Sequence, residues 1–133
     1  MRYLLDTNVW IQHLKQVTSL VSVRLMRTPA PEIAICSIVW AEMLHGARKY
    51  ERRTAREQLV VKTLFPYESL PFDTAAAARY AEIRDSLERR GEVIGPYDLQ
   101  IAAIALVHNL TVVTNNGEFR RVDGLKVEDW SVA

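Results

Sequence analysis

Apolar residues follow two rhythms along this chain: short unbroken runs, and longer stretches at helical spacing. The two alternate. Tyr3-Leu4-Leu5 is a run with no room for a helix before it. Asp6-Thr7-Asn8 breaks that run, and Val9, Trp10, Ile11 and Leu14 resume at helical spacing. The pattern predicts a buried first strand ending in Asp6, a polar turn and a helix. Gln16 to Ser19 is a polar break. Leu20 to Arg27 then predicts a short amphipathic helix, stopped by Pro29 and Pro31. Ile33-Ala34-Ile35-Cys36 has the composition of a strand buried on both faces. Ser37 suits the N-cap of an apolar helix running from Ile38 to about Gly46.

The second half repeats the alternation. A charge-rich segment from Arg48 to Arg56 leads into a helix that ends near Leu64-Phe65, before Pro66. Tyr67 to Pro71 predicts a third short strand. Asp73 or Thr74 caps a long helix from Ala75 to about Arg90, with Tyr80, Ile83 and Leu87 on one face. Gly95 and Pro96 suit the start of a helix through Val107, apolar nearly all round and therefore buried. Asn109 ends it. Thr111 to Thr114 predicts a fourth buried strand, Phe119 to Asp123 a short irregular or helical piece, and Leu125 to Glu128 a last edge strand packed down by Trp130. Strands alternating with helices predict an α/β fold with a central, mainly parallel sheet of about four to five strands. With no repeat and no interior linker, residues 1–133 read as a single domain.

Composition changes this picture little. Hydrophobic content of 49% and charged content of 25% are those of a globular protein with a real core. The lack of an 18-residue apolar stretch argues against a membrane span. The first residues do not read as a signal peptide, because Asp6 interrupts the apolar run. The one cysteine, Cys36, cannot form an internal disulfide and reads as a small buried side chain, which fits a cytoplasmic setting. A net charge of +1 leaves nucleic-acid binding open, because a local patch suffices for it.

Four polar positions change it more. Strand tips of a parallel sheet share one edge, where ligands sit. Asp6 is at one tip, and Asn116 and Glu118 lie just past another. Glu42 is one turn into the helix after the second strand, and Asp98 is in the first turn of the helix that leads to the fourth. Two of them have a bland role available: Asp6 or Thr7 caps a helix, and Asp98 favours a helix dipole. Carboxylates gathered in one cleft repel each other unless a cation neutralises them. Oxygen donors without a Cys/His cluster favour Mg²⁺ or Mn²⁺ over zinc. Such a site suits phosphodiester cleavage.

The chain resembles the PIN-domain ribonucleases, specifically the VapC toxins of bacterial toxin–antitoxin pairs. The resemblance rests on Leu5-Asp6-Thr7-Asn8, on Ser37 through Glu42 to Gly46, and on Ile94 through Asp98 with Ile101-Ala102-Ala103. It continues in Val113-Thr114-Asn115-Asn116 with Glu118-Phe119, and in Gly124-Leu125 through Asp129-Trp130. It covers nearly the whole chain and implies a three-layer PIN-like fold and a metal-dependent endoribonuclease. By that resemblance Asp6, Glu42 and Asp98 are catalytic, with Asp6 and Asp98 the principal Mg²⁺ or Mn²⁺ ligands. Glu42 would be a ligand through water or would orient the attacking water. Thr7, Asn8 and Thr114 would hold carboxylates in place. The family often has a fourth acid where Asn116 stands here, so either Glu118 swings in or the site runs with three acids and an amide. The resemblance further implies a homodimer, inhibition by a VapB-type antitoxin lying in the active-site groove, DNA contact only through that antitoxin, and structured RNA (tRNA or ribosomal RNA) as substrate.

Arg48, Lys49, Arg52 and Arg53, with Arg120 and Arg121, are candidate RNA phosphate contacts, set against a plain solvated surface. Glu42 and His45 form a lone E-x-x-H pair, and di-iron bundles need two. His13 and His108 have no partner at ligand spacing. A haloacid-dehalogenase-type phosphatase would also place an Asp after the first strand, but Asn8 replaces its second Asp. A PIN-like binding module without activity is the other alternative.

Overall fold

A computed structural model describes residues 1–133. The first half runs β1 (Tyr3–Leu5), α1 (Thr7–Lys15), α2 (Leu20–Arg27), β2 (Ile33–Cys36), α3 (Ser37–Ala47) and α4 (Arg53–Leu64). The second runs β3 (Glu68–Leu70), α5 (Thr74–Arg89), α6 (Pro96–Val107), β4 (Thr111–Val113) and β5 (Val127–Glu128). The sheet has five strands in the order β3-β2-β1-β4-β5, and every pair is parallel. The chain lays β2 and then β3 on one side of β1, then returns to lay β4 on the other side. The direction of winding therefore reverses between β1 and β4, which opens a crevice at their carboxyl ends.

The sheet is buried because its strands are apolar on both faces. All residues of β1, β2 and β4 are buried. α1 packs on α2 and α3, α3 on α4, and α5 on α6. Right-handed crossovers taken in opposite directions put these two groups on opposite faces of the sheet. α6 buries Leu99 and every residue from Ile101 to Ala105, in keeping with its nearly uniform apolarity. Trp130 meets Tyr3 edge-on at 5.0 Å and closes the end of the sheet. No helix is long and apolar enough to cross a membrane.

Some local expectations need correction. Ser37 is the first residue of α3 rather than its cap; its hydroxyl accepts from the Phe72 backbone N–H at 3.3 Å, tying the end of β2 to the segment after β3. β5 covers only Val127–Glu128, because Leu125 lies in the turn after Gly124, whose φ is +79°. The end of α6 is as expected: Val107 is its last residue, and Asn109 takes the left-handed conformation (φ 54°) that stops the helix and turns the chain into β4. His13 stands in the last turn of α1, where its Nδ1 pairs with Ser22 Oγ at 2.7 Å and ties α1 to α2.

Candidate active site

Asp6 follows the last residue of β1 and N-caps α1, so its backbone is extended and its side chain turns back over the helix start. Oδ1 accepts from the Val9 backbone N–H at 3.3 Å. Oδ2 accepts from Thr114 Oγ1 at 2.5 Å. The register makes this contact: Leu5 pairs with Val113, so the next residue of each strand meets across the crevice. Thr114 Oγ1 in turn accepts from the Asn116 backbone N–H at 3.0 Å. Asp6 is only 3% exposed. Burial pushes its carboxyl up to about 6, and the charge of Asp98 adds to the rise, against the bonds from Thr114, Val9 and Asn8. The capping and site readings of Asp6 are thus compatible: one oxygen serves the helix, and the residue still lines the cleft.

The other acids are wetter. Glu42 is half-buried on α3, and its Oε1 accepts from Thr7 Oγ1 at 2.8 Å. Asp98 is half-buried in the first turn of α6. Burial raises its carboxyl first, then the charges of Glu42 and Glu118, while a bond from Asn116 opposes the rise. Asn116 Nδ2 donates to Asp98 Oδ2 at 3.1 Å, and Asn116 Oδ1 accepts from the Glu118 backbone N–H at 3.0 Å. The amide at the fourth position therefore links β4 to α6. Glu118 is the second residue of a 3₁₀ turn (Gly117–Arg121) and is close enough to perturb Asp98.

A cleft of about 320 Å³ brings together Asp6, Thr7, Asn8, Glu42 and Asp98, with Ile11, His45, Gly46, Lys49 and Tyr97 completing its walls. Asn8 does not hold a carboxylate. It is exposed at the lip, because the helical turn points it away from Asp6. Of the basic residues, Lys49 alone lines this cleft. Arg48 is exposed and paired with Glu57 at 3.2 Å. Arg52 and Arg53 are exposed where the α3–α4 turn ends. Arg121 does not line the cleft; its guanidinium donates to the Val93 carbonyl at 2.6 Å and braces the α5–α6 loop. Tyr97 was not foreseen. The available signal is an aromatic residue between Pro96 and Asp98, two positions before the buried face of α6 begins at Leu99.

The donor set fits a hard cation. Every candidate ligand is a carboxylate or amide oxygen, and neighbouring acids raise the proton affinity of Asp6 and Asp98. Cys36 lies buried, its thiol pushed up to about 11 by burial, and is no thiolate ligand. No three His, Cys, Asp or Glu side chains stand close enough together here to hold a metal ion by themselves. An open set of this kind suits Mg²⁺ or Mn²⁺, which keep waters and take further oxygens from a phosphate.

Residues 3–125 match the family model described as the PIN domain. The chain belongs to the PIN-domain family. Within it, the similarity runs to VapC proteins over the full length. The chain is 34% identical to the tRNA(fMet)-specific endonuclease VapC of Shigella flexneri over 132 residues, covering 98% of this chain and 99% of the relative. It is 35% identical to Ribonuclease VapC2 of Rickettsia felis, covering 98% of each. This PIN domain also superposes on solved structures. Against the DNA-bound VapBC of Salmonella typhimurium the TM-score is 0.92 at 35% identity, covering 98% of each chain. Against VapBC2 of Rickettsia felis bound to a promoter DNA fragment the TM-score is 0.87 at 32% identity, covering 98% of this chain and 99% of that one.

Proposed function

We propose that this VapC-type PIN domain is a metal-dependent endoribonuclease toxin that hydrolyses phosphodiester bonds in structured RNA, tRNA or ribosomal RNA, and so arrests translation in the cytoplasm. The observation that carries the reading is the meeting of Asp6, Glu42 and Asp98 in one cleft at the sheet's switch point. The names of its relatives, an endonuclease and a ribonuclease, support it. Asp6 and Asp98 are the residues that would hold Mg²⁺ or Mn²⁺. When bound, the cation polarises the scissile phosphate and makes a water more acidic. Glu42, fixed by Thr7, orients the attacking water and receives its proton. Thr114 and Asn116 hold Asp6 and Asp98 in place through their hydrogen bonds. Lys49 at the rim offsets phosphate charge, with the exposed Arg52 farther along the same surface.

The solved VapBC complexes support a VapB-type antitoxin as partner, with DNA reached through it, and a homodimer is the expected state of the toxin. An apolar groove of about 370 Å³ joins the acid cleft through Ile11, Glu42, Gly46 and Lys49, and it is the seat proposed for the antitoxin segment.

Cleavage of total bacterial RNA by antitoxin-free protein tests the reading. Discrete fragments are expected with Mg²⁺ or Mn²⁺, and none with chelator or with Asp6→Asn. Cutting that survives chelation or the substitution contradicts the proposed site. Folded protein that cuts no bacterial RNA under any of these conditions favours a binding module.

A further inference from the structure

The chain has five tyrosines. Four are engaged by the fold. Tyr3 stacks edge-on with Trp130 at 5.0 Å, and Tyr67 packs on Trp10 at 5.1 Å. Tyr80 meets Phe72 at 5.9 Å, and its hydroxyl accepts from Arg84. Tyr50 lies under the Arg56 guanidinium at 4.4 Å. Tyr97 alone has no ring partner, no cation over its face and no hydrogen bond to its hydroxyl, and it is 59% exposed. It nevertheless stands on the wall of the acid cleft, next in sequence to Asp98. Its backbone is firmly held: Pro96 opens α6 just before it, and Leu99 and Ile101 anchor the helix in the core just after it.

An aromatic face left in water by the fold, on a rigid helix start, beside a cleft that suits a phosphodiester, has the makings of a nucleobase platform. Base–aromatic stacking needs only a π-face, and it requires a base splayed out of its duplex. We infer that Tyr97 is a substrate-positioning residue that stacks on a nucleobase flanking the scissile phosphate and so selects unpaired nucleotides. This inference rests on the nuclease reading above. The hydroxyl has no partner here, so the ring alone carries the role.

The test is single-turnover cleavage of the RNA fragment that carries the cut mapped in total bacterial RNA, using wild type, Tyr97→Phe and Tyr97→Leu. Matched fragments lack the base on one or the other side of the cut. Tyr97→Phe is expected to cleave within about twofold of wild type, and Tyr97→Leu roughly 5- to 150-fold less efficiently. Removing the stacked base is expected to slow wild type by a similar factor and to slow Tyr97→Leu no further, with melting temperatures matching throughout. A merely structural role for Tyr97 would not produce that dependence on one substrate base. Cleavage by Tyr97→Leu at the wild-type rate overturns the inference, as do penalties that simply multiply. If wild type yields no cut, the nuclease reading falls first and this inference with it.

Discussion

Asp6 and Asp98 are both carboxylates at the start of a helix that borders the same cleft, yet the fold uses them differently. Asp6 ends a central strand, is almost fully buried, caps α1 and accepts from Thr114. Asp98 stands on α6 only partly buried, and its hydrogen-bond partner is the amide of Asn116. In the proposed reading Asp6 therefore serves the fold and the site together, while Asp98 serves the site almost alone. A buried carboxylate that must remain ionised costs stability, so the site's ability to take a cation can be read from stability at Asp6 and from catalysis at Asp98.

The largest expected effect separates the two by activity against stability. Asp98→Asn should lower RNA cleavage on the order of a thousandfold, from lost charge stabilisation. Its unfolding free energy should stay within about 0.5 kcal/mol of wild type, as for a half-exposed helix-start residue. Parallel cleavage and denaturant curves check both. Asp6→Asn should lose cleavage as fully, but its stability should move as well. The Asp6 carboxyl is raised in the folded state to about 6, so this group's stabilising contribution is full below the unfolded value and is lost as pH rises through 6. Metal-free wild type should thus lose up to about 3 kcal/mol between pH 4 and pH 8 from this group, whereas Asp6→Asn, which keeps the cap, should not. Melting curves across that range, with and without Mn²⁺, measure the difference, and added metal should narrow it.

Thr114→Val comes next. It removes the hydroxyl between Asp6 and the Asn116 backbone and should cost about 1–3 kcal/mol, read from chemical denaturation. Because that hydroxyl holds the Asp6 carboxyl down, its loss should also move the pH window of stability upward. Asn116→Asp sharpens the wetter half of the site: a fourth acid should tighten Mn²⁺ binding several-fold in a calorimetric titration, through added ligand charge. The smallest effect concerns the rim. Lys49→Ala should weaken RNA binding a few-fold and reduce the salt slope by about one unit, while Arg48→Ala, already paired with Glu57, should change the slope little.

Much of the architecture was legible because its signals are local. Leu20–Arg27 carries its own helical period between polar and proline stops, and the helix is observed over those residues. Ile33–Cys36 is an unbroken apolar run and forms a strand over those residues. The strand-tip positions of Asp6 and Thr114 follow from the same runs once the sheet is parallel. Side-chain direction was much less legible, because it depends on partners far away in sequence. Asn8 follows Thr7 by one residue, yet the helical turn sends Thr7 to Glu42 and Asn8 to solvent. Arg121 belongs to a basic pair suggestive of phosphate, but its guanidinium is engaged by the Val93 carbonyl. Asn116 stood at an uncertain fourth position, and its link to Asp98 becomes visible only when α6 and β4 lie side by side.

The most direct test of the central claim, that these carboxylates form one working cation site, is the paired cleavage of a single mapped RNA by wild type and Asp98→Asn, each matched for melting temperature, in Mg²⁺ and in chelator. The account predicts one discrete cut from wild type in Mg²⁺ and none in the other three conditions. The same cut from Asp98→Asn, or from wild type in chelator, would contradict it.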